Sequence, residues 1–277
     1  MLHSMMRKPI SAVLLALLAL LLSMPASVSA SSVKLTESAQ SKLSKQISEA
    51  GSYAMKQNLT AQLLSLTTLQ QKEDSLDTAI ASLHYYNGNA MTAIRARISQ
   101  IDAAKISKLT QDVAQTKERY KPLFAMYTSL NTQIKDAKFL RLKQLAALLQ
   151  IQADLLKPST QLARTEIRIK EELLKSAKAS TAATIKHLRA KLAETDPLRS
   201  QITSVQAVIA GTKKNISPVV KTLNETIKAN SHEGTLQSLT TLVSISRTIV
   251  EQKQRVSVFE TRISEIIRAT NAEIPTK

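Results

Sequence analysis

Hydrophobic positions recur along this chain at alternating steps of three and four. Leu242, Ile245, Ile249, Gln252, Val256, Phe259, Ile263 and Ile266 form one series, with Gln252 its single polar member. Such steps place all eight on one stripe of a helix, the seam of a coiled coil or bundle. Val113, Thr116, Tyr120, Leu123, Tyr127, Leu130, Ile134 and Ala137 form a second series. Leu59, Leu63, Leu66, Leu69, Glu73, Leu76, Ile80 and Leu83 form a third, and Leu148, Leu155, Leu162 and Ile169 step by seven. Strand alternation does not persist, and the intervening Lys, Gln, Glu, Ser and Ala suit exposed helix faces. The pattern predicts an all-α protein, an elongated antiparallel helical bundle or coiled coil of long helices. Frequent Ser and Thr weaken intrinsic helix propensity, so packing must supply most of the stability.

The breaks are few. Asn87-Gly88-Asn89 follows Tyr85-Tyr86 and precedes a new periodic stretch, which predicts a helix hairpin after a helix from Ser38 to Tyr86. Asn230 to Gly234 predicts a second hairpin, with the last helix running from about Thr235 to Asn271. Asp196-Pro197 and Gly211 to Pro218 mark further ends. The second series keeps its phase through Pro122, and the seven-residue series crosses Pro158. Kinks in continuing helices fit that phase, while either proline could instead open a new helix. Residues 94–138 and 167–213 share a weak likeness: Ile94-Arg95 and Ala104-Lys105 are echoed by Ile167-Arg168 and Ala177-Lys178. Amphipathic helices of one composition resemble each other, and the alternative is a duplicated unit of roughly 75 residues.

The first thirty residues read as an address. Arg7 and Lys8 precede a run from Ile10 to Met24 interrupted only by Ser11 and Ser23. Pro25 breaks the run, and Val28-Ser29-Ala30 offers small residues for cleavage. This is the order of a secretory signal peptide. At about 1.5 Å per residue the run reaches about 22 Å, short of the roughly 30 Å hydrocarbon core. The expectation is an exported protein, extracellular, wall-associated or periplasmic, whose residues 31–277 form one helical-bundle region with no transmembrane span.

Composition then narrows the chemistry. The 277 residues include no cysteine and no tryptophan, four glycines and eight aromatics. The lack of cysteine excludes disulfides, thiolate metal sites and a cysteine nucleophile. No phosphate loop, dinucleotide fingerprint or Gly-x-Ser-x-Gly elbow occurs. His84, His187 and His232 stand apart from one another, so no metal ligand pair is expected, and His232-Glu233 belongs to a turn. Glu171-Glu172 and Asp74 with Asp77 read as solvated helix faces, and Ser31 to Lys34 as a chance Ser-x-x-Lys spacing. Neither catalytic residues, a cofactor nor a metal is expected, and the protein reads as non-enzymatic.

Charge is the informative anomaly. The formal net charge is +17, or +15 without Arg7 and Lys8. Arg119 to Lys191 holds fifteen Lys or Arg against five acids. Lys135, Lys138 and Arg141 step by three and share a helix face with Lys143 close by, and Arg164, Arg168, Lys175 and Lys178 can form another ridge. These eight are the candidate contacts for a polyanion. For an exported protein that means an anionic wall polymer, lipopolysaccharide, anionic lipid headgroups or released DNA. Sequence-specific nucleic-acid recognition is not expected, because no recognition motif or stacking platform is present. Insertion into or along a membrane is not expected either, since the apolar stripes read as consumed by bundling. The chain resembles the general class of exported, lysine-rich, all-helical bacterial proteins, some of which bind anionic wall polymers. That resemblance implies a cell-envelope binding protein. The alternative is a structural or adaptor coiled coil that binds an unidentified protein or self-associates as a homo-oligomer through an apolar seam, with Gln252 setting register.

Overall fold

The computed structural model describes residues 35–275, so the stretch expected to be a leader and the Ser31 to Lys34 spacing lie outside the described residues. Those residues form seven α-helices and no strand: α1 (Glu37–Glu49), α2 (Tyr53–Ser99), α3 (Ala103–Phe139), α4 (Lys143–Ala193), α5 (Thr195–Lys214), α6 (Ile216–Lys228) and α7 (His232–Glu273). The protein is all-α with long helices; α4 has 51 residues and α2 has 47. Among the described residues no helix is long and apolar enough to cross a membrane. The helices contribute to two compact units. One runs through Ile80 and includes Ile202–Ser257; the other holds Ala81–Gln201 and Val258–Lys277.

The first unit is built on leucine. Leu43 of α1, Leu59 and Leu66 of α2, Leu223 of α6, and Leu239, Leu242 and Ile249 of α7 are fully buried in one cluster. Each such burial contributes about 1.5–3 kcal/mol. Thr36 opens α1, its Oγ1 accepting from the Ala39 N–H at 3.2 Å. Gln46 ties α1 to the start of α7: His232 Nε2 donates to its carbonyl at 3.2 Å and the Thr235 hydroxyl to its Oε1 at 3.1 Å. The abundant Ser and Thr hydroxyls are absorbed locally. Thr67, Thr240 and Thr248 each donate to the carbonyl four residues back.

In the second unit α3 and α4 form an antiparallel hairpin. The Thr181 hydroxyl donates to Asp102 at 2.7 Å, Lys170 to the Thr116 hydroxyl at 2.8 Å, and the Tyr120 hydroxyl to Glu166 at 2.5 Å. Both helices continue through their prolines, Pro122 and Pro158. The second hydrophobic series is the α3 seam: Val113, Thr116, Ile134 and Ala137 are buried, and Tyr120, Leu123, Tyr127 and Leu130 half-buried. What faces it on α4 is not the leucine series. Ala146, Ala153, Thr160 and Ala163 are buried, whereas Leu148, Leu155, Leu162 and Ile169 are exposed. Two series of the same seven-residue period lie two positions apart. Periodicity does not choose between them; the bulk of Tyr120, Tyr127 and the α3 leucines does, because it needs small residues opposite.

Two further expectations are corrected. Asn87-Gly88-Asn89 is no hairpin, because α2 continues through it. Asn87 is buried, and its Nδ2 donates to the Glu260 carbonyl at 2.8 Å and to Glu260 Oε2 at 2.7 Å. A tertiary partner thus holds a turn-forming residue in a helix. The chain breaks instead at residues 50–52, within the predicted Ser38 to Tyr86 helix, and at residues 100–102, where Asp102 is left-handed with φ 54°. Gly88 is exposed, has no left-handed backbone, and an added Cβ would meet no atom within 4 Å. Gly88→Ala is therefore expected to stabilise the fold by about 0.5–1 kcal/mol. Thermal denaturation followed by circular dichroism checks this, and a lowered midpoint would restore the turn.

The α7 seam is also phased differently. Leu242, Ile249, Val256 and Ile263 are buried, but Ile245, Gln252, Phe259 and Ile266 are only half-buried. Their places are taken one residue later by Ser246, Lys253, Glu260 and Ile267, all buried. The buried polar residue is Lys253, not Gln252. Its ammonium lies 2.8 Å from buried Glu73 and 2.5 Å from Asp77. Asp196-Pro197 and Gly211 to Pro218 are milder than ends: only Glu194 and Asn215 interrupt the helices, both in right-handed helical backbone.

Candidate functional site

The eight candidate cations fall on the α3–α4 hairpin. Lys135 and Lys138 lie in the last turns of α3, Arg141 in the connecting turn, and Lys143 at the first position of α4. The expectation that Lys135, Lys138 and Arg141 share a helix face is corrected, since α3 ends at Phe139. The Leu142 N–H returns to the Ala137 carbonyl at 2.9 Å and the Arg141 N–H to the Lys138 carbonyl at 3.1 Å. These are the paired bonds of a Schellman turn, with Arg141 in its left-handed position at φ 59°. Asn230 occupies the same position after α6, with φ 53° and the Ser231 N–H bonded to the Thr226 carbonyl at 3.0 Å. Asparagine tolerates that conformation; an arginine there costs about 1–2 kcal/mol.

The turn still gathers all four cations, around Phe139, which is 87% exposed, and the exposed Leu140 and Leu142. Asp136 is the only acid from residue 135 to residue 143. Arg164, Arg168, Lys175 and Lys178 lie on the exposed surface of α4. Arg164 and Arg168 border a shallow depression of about 270 Å³ that includes Phe124, Tyr127 and Glu171. The Arg164 guanidinium carbon stands 6.0 Å from the Phe124 ring centre. From Lys143 to Arg164 is about 32 Å along the helix, so the eight form two patches rather than one pocket.

Two acids of the hairpin, Glu166 and Glu171, are already engaged. Glu166 accepts from the Tyr120 hydroxyl, from Arg119 at 2.7 Å and from Lys170. Its carboxyl is held below the ordinary range, first by the Tyr120 hydrogen bond and then, against some desolvation, by Arg119 and Lys170. The same bond raises Tyr120. Glu171 pairs with Lys117 at 2.5 Å. Among the described residues none of the eight candidate cations forms an ion pair, so their charge is available to a partner.

Three other chemistry-bearing residues have structural partners. His84 Nδ1 bonds Glu260 at 2.8 Å, His187 Nε2 bonds Glu273 at 3.2 Å, and Asp77 holds Lys253. Among the described residues no group of three or more His, Asp or Glu side chains could hold a metal ion. Comparison with family models, curated proteins and solved structures finds no match to the chain. Three features of the structure escape the sequence pattern: the turn at residues 140–142, which lacks Gly, Asn and Pro; the exposed leucine face of α4; and the buried Glu73–Lys253 and Asn87–Glu260 pairs.

Proposed function

We propose that this protein is an exported, non-enzymatic component of the cell envelope that binds an anionic envelope polymer through the cations of the α3–α4 hairpin. The observation that carries the reading is the turn itself: Lys135, Lys138, Arg141 and Lys143 gather there without a carboxylate partner among the described residues. Arg141 holds a left-handed position that glycine would fill with less strain. A cation held in such a strained backbone position supports a use for its charge. Phe139, Leu140 and Leu142 among the cations favour a polymer that also carries apolar groups, such as a lipid-linked one. The second patch, about 32 Å along α4, would let one extended chain engage both.

The test is co-sedimentation of residues 31–277 with isolated envelopes across a salt series. Affinity is expected to fall about 100-fold or more between about 50 and 500 mM salt, because neutralising several anionic groups releases their counterions. Extraction of the anionic polymers should remove the binding. Salt-insensitive binding, or none, would reduce the basic faces to solvation.

A further inference from the structure

We infer that the exposed leucine face of α4 is a self-association surface, covered by the same face of a second copy in antiparallel register. Leu148, Leu155, Leu162 and Ile169 are 56, 74, 68 and 49% exposed, and Ile151 and Leu173 extend the stripe at 60 and 55%. At 100° per residue all six fall within an arc of about 60°. They are not the seam with α3, which the buried alanines and threonine supply.

Size and symmetry identify the occupant. Each side chain leaves on the order of 100 Å² of apolar surface bare, so the face totals about 600 Å². That reaches the upper end of what soluble monomers expose, and two such faces bury about 1,200 Å², the lower bound for a specific interface. The series is its own mirror image about the junction of Pro158 and Ser159. Antiparallel pairing sets Leu155 against Leu162 of the second copy and Leu148 against its Ile169, as a two-fold interface requires. The positions between successive members of the stripe, Ile151 and Gln152, Pro158 and Ser159, and Thr165 and Glu166, carry no cation, which suits a protein face better than an anionic bilayer, where border cations would be favoured. This surface is independent of the polyanion reading.

The test is sedimentation velocity of the exported protein over about 1–100 μM, with vesicles of anionic and neutral lipid in parallel. Wild type is expected to shift from monomer to dimer. Leu155→Glu with Leu162→Glu should raise the dissociation constant about 100-fold or more at unchanged helicity, because both positions are exposed. The chain has no cysteine, so orientation is read directly. A Leu155→Cys chain mixed with a Leu162→Cys chain should give a mixed disulfide dimer, and neither should cross-link alone. Monomer at every concentration, equal dimerisation by the double variant, or self-cross-linking of Leu155→Cys would overturn the proposal. So would a monomeric wild type that binds anionic vesicles through these leucines.

Discussion

Glu73→Leu is expected to lower folding stability by about 3–5 kcal/mol, the usual consequence of removing one partner from a buried ion pair. Glu73 is 1% exposed and holds the Lys253 ammonium at 2.8 Å and that of Lys213 at 3.1 Å. Without it, buried Lys253 keeps only half-exposed Asp77. The double change Glu73→Leu with Lys253→Leu is expected to recover most of the loss, because an apolar pair replaces a buried ionic one at little or no net cost. Burial alone would raise the Glu73 carboxyl, but its hydrogen bonds and charge interactions with Lys253 and Lys213 outweigh that and hold it below the ordinary value. Its contribution is therefore present above the unfolded value, about pH 4.3, and is lost as pH falls through the lowered folded value. Denaturant midpoints of wild type and Glu73→Gln at pH 7 and pH 3 provide the check. The gap should narrow in acid. Equal stability at pH 7, or a gap that does not close, would show that the pair does not support the fold.

Reversing Lys135, Lys138, Arg141 and Lys143 to glutamate together is expected to abolish the salt-sensitive envelope association. A basic side chain near an anionic surface contributes about 1 kcal/mol, so neutralising four alone predicts roughly 1,000-fold weaker binding, and reversal adds repulsion. All four are exposed and free of ion pairs among the described residues, so the helical signal should be unchanged. Arg141→Gly separates charge from conformation. It should relieve about 1 kcal/mol of backbone strain while weakening binding by one side chain's share. Undiminished association of the fourfold variant would sink the assignment of this surface. The same reversals at Arg164, Arg168, Lys175 and Lys178 should weaken binding more mildly if the turn makes the primary contact.

Much of this architecture is legible in the residues because helix packing is periodic. The series from Val113 to Ala137 coincides with the buried side of α3, and the turn at Asn230 lies where asparagine announces it. The misreadings share a cause. Asn87-Gly88-Asn89 carries a strong local turn preference, yet Glu260, 173 residues away, bonds the Asn87 amide and keeps it helical. No local signal contains that partner. The turn at residues 140–142 errs in the opposite direction: its left-handed position holds Arg141, a residue that advertises no turn.

By itself, the sequence determined the helical class, the last helix and the turn before it, and the concentration of positive charge between Arg119 and Lys191. These follow from spacing and composition, which act within a few residues. Only the tertiary structure decided which of two equally periodic faces α4 and α7 bury. On α7 it placed Lys253 and Glu260, rather than Gln252 and Phe259, in the buried layer, because Glu73 and Asn87 lie opposite. On α4 it turned the alanines toward α3 and the leucines toward solvent, because the aromatic and leucine bulk of α3 leaves room only for small side chains.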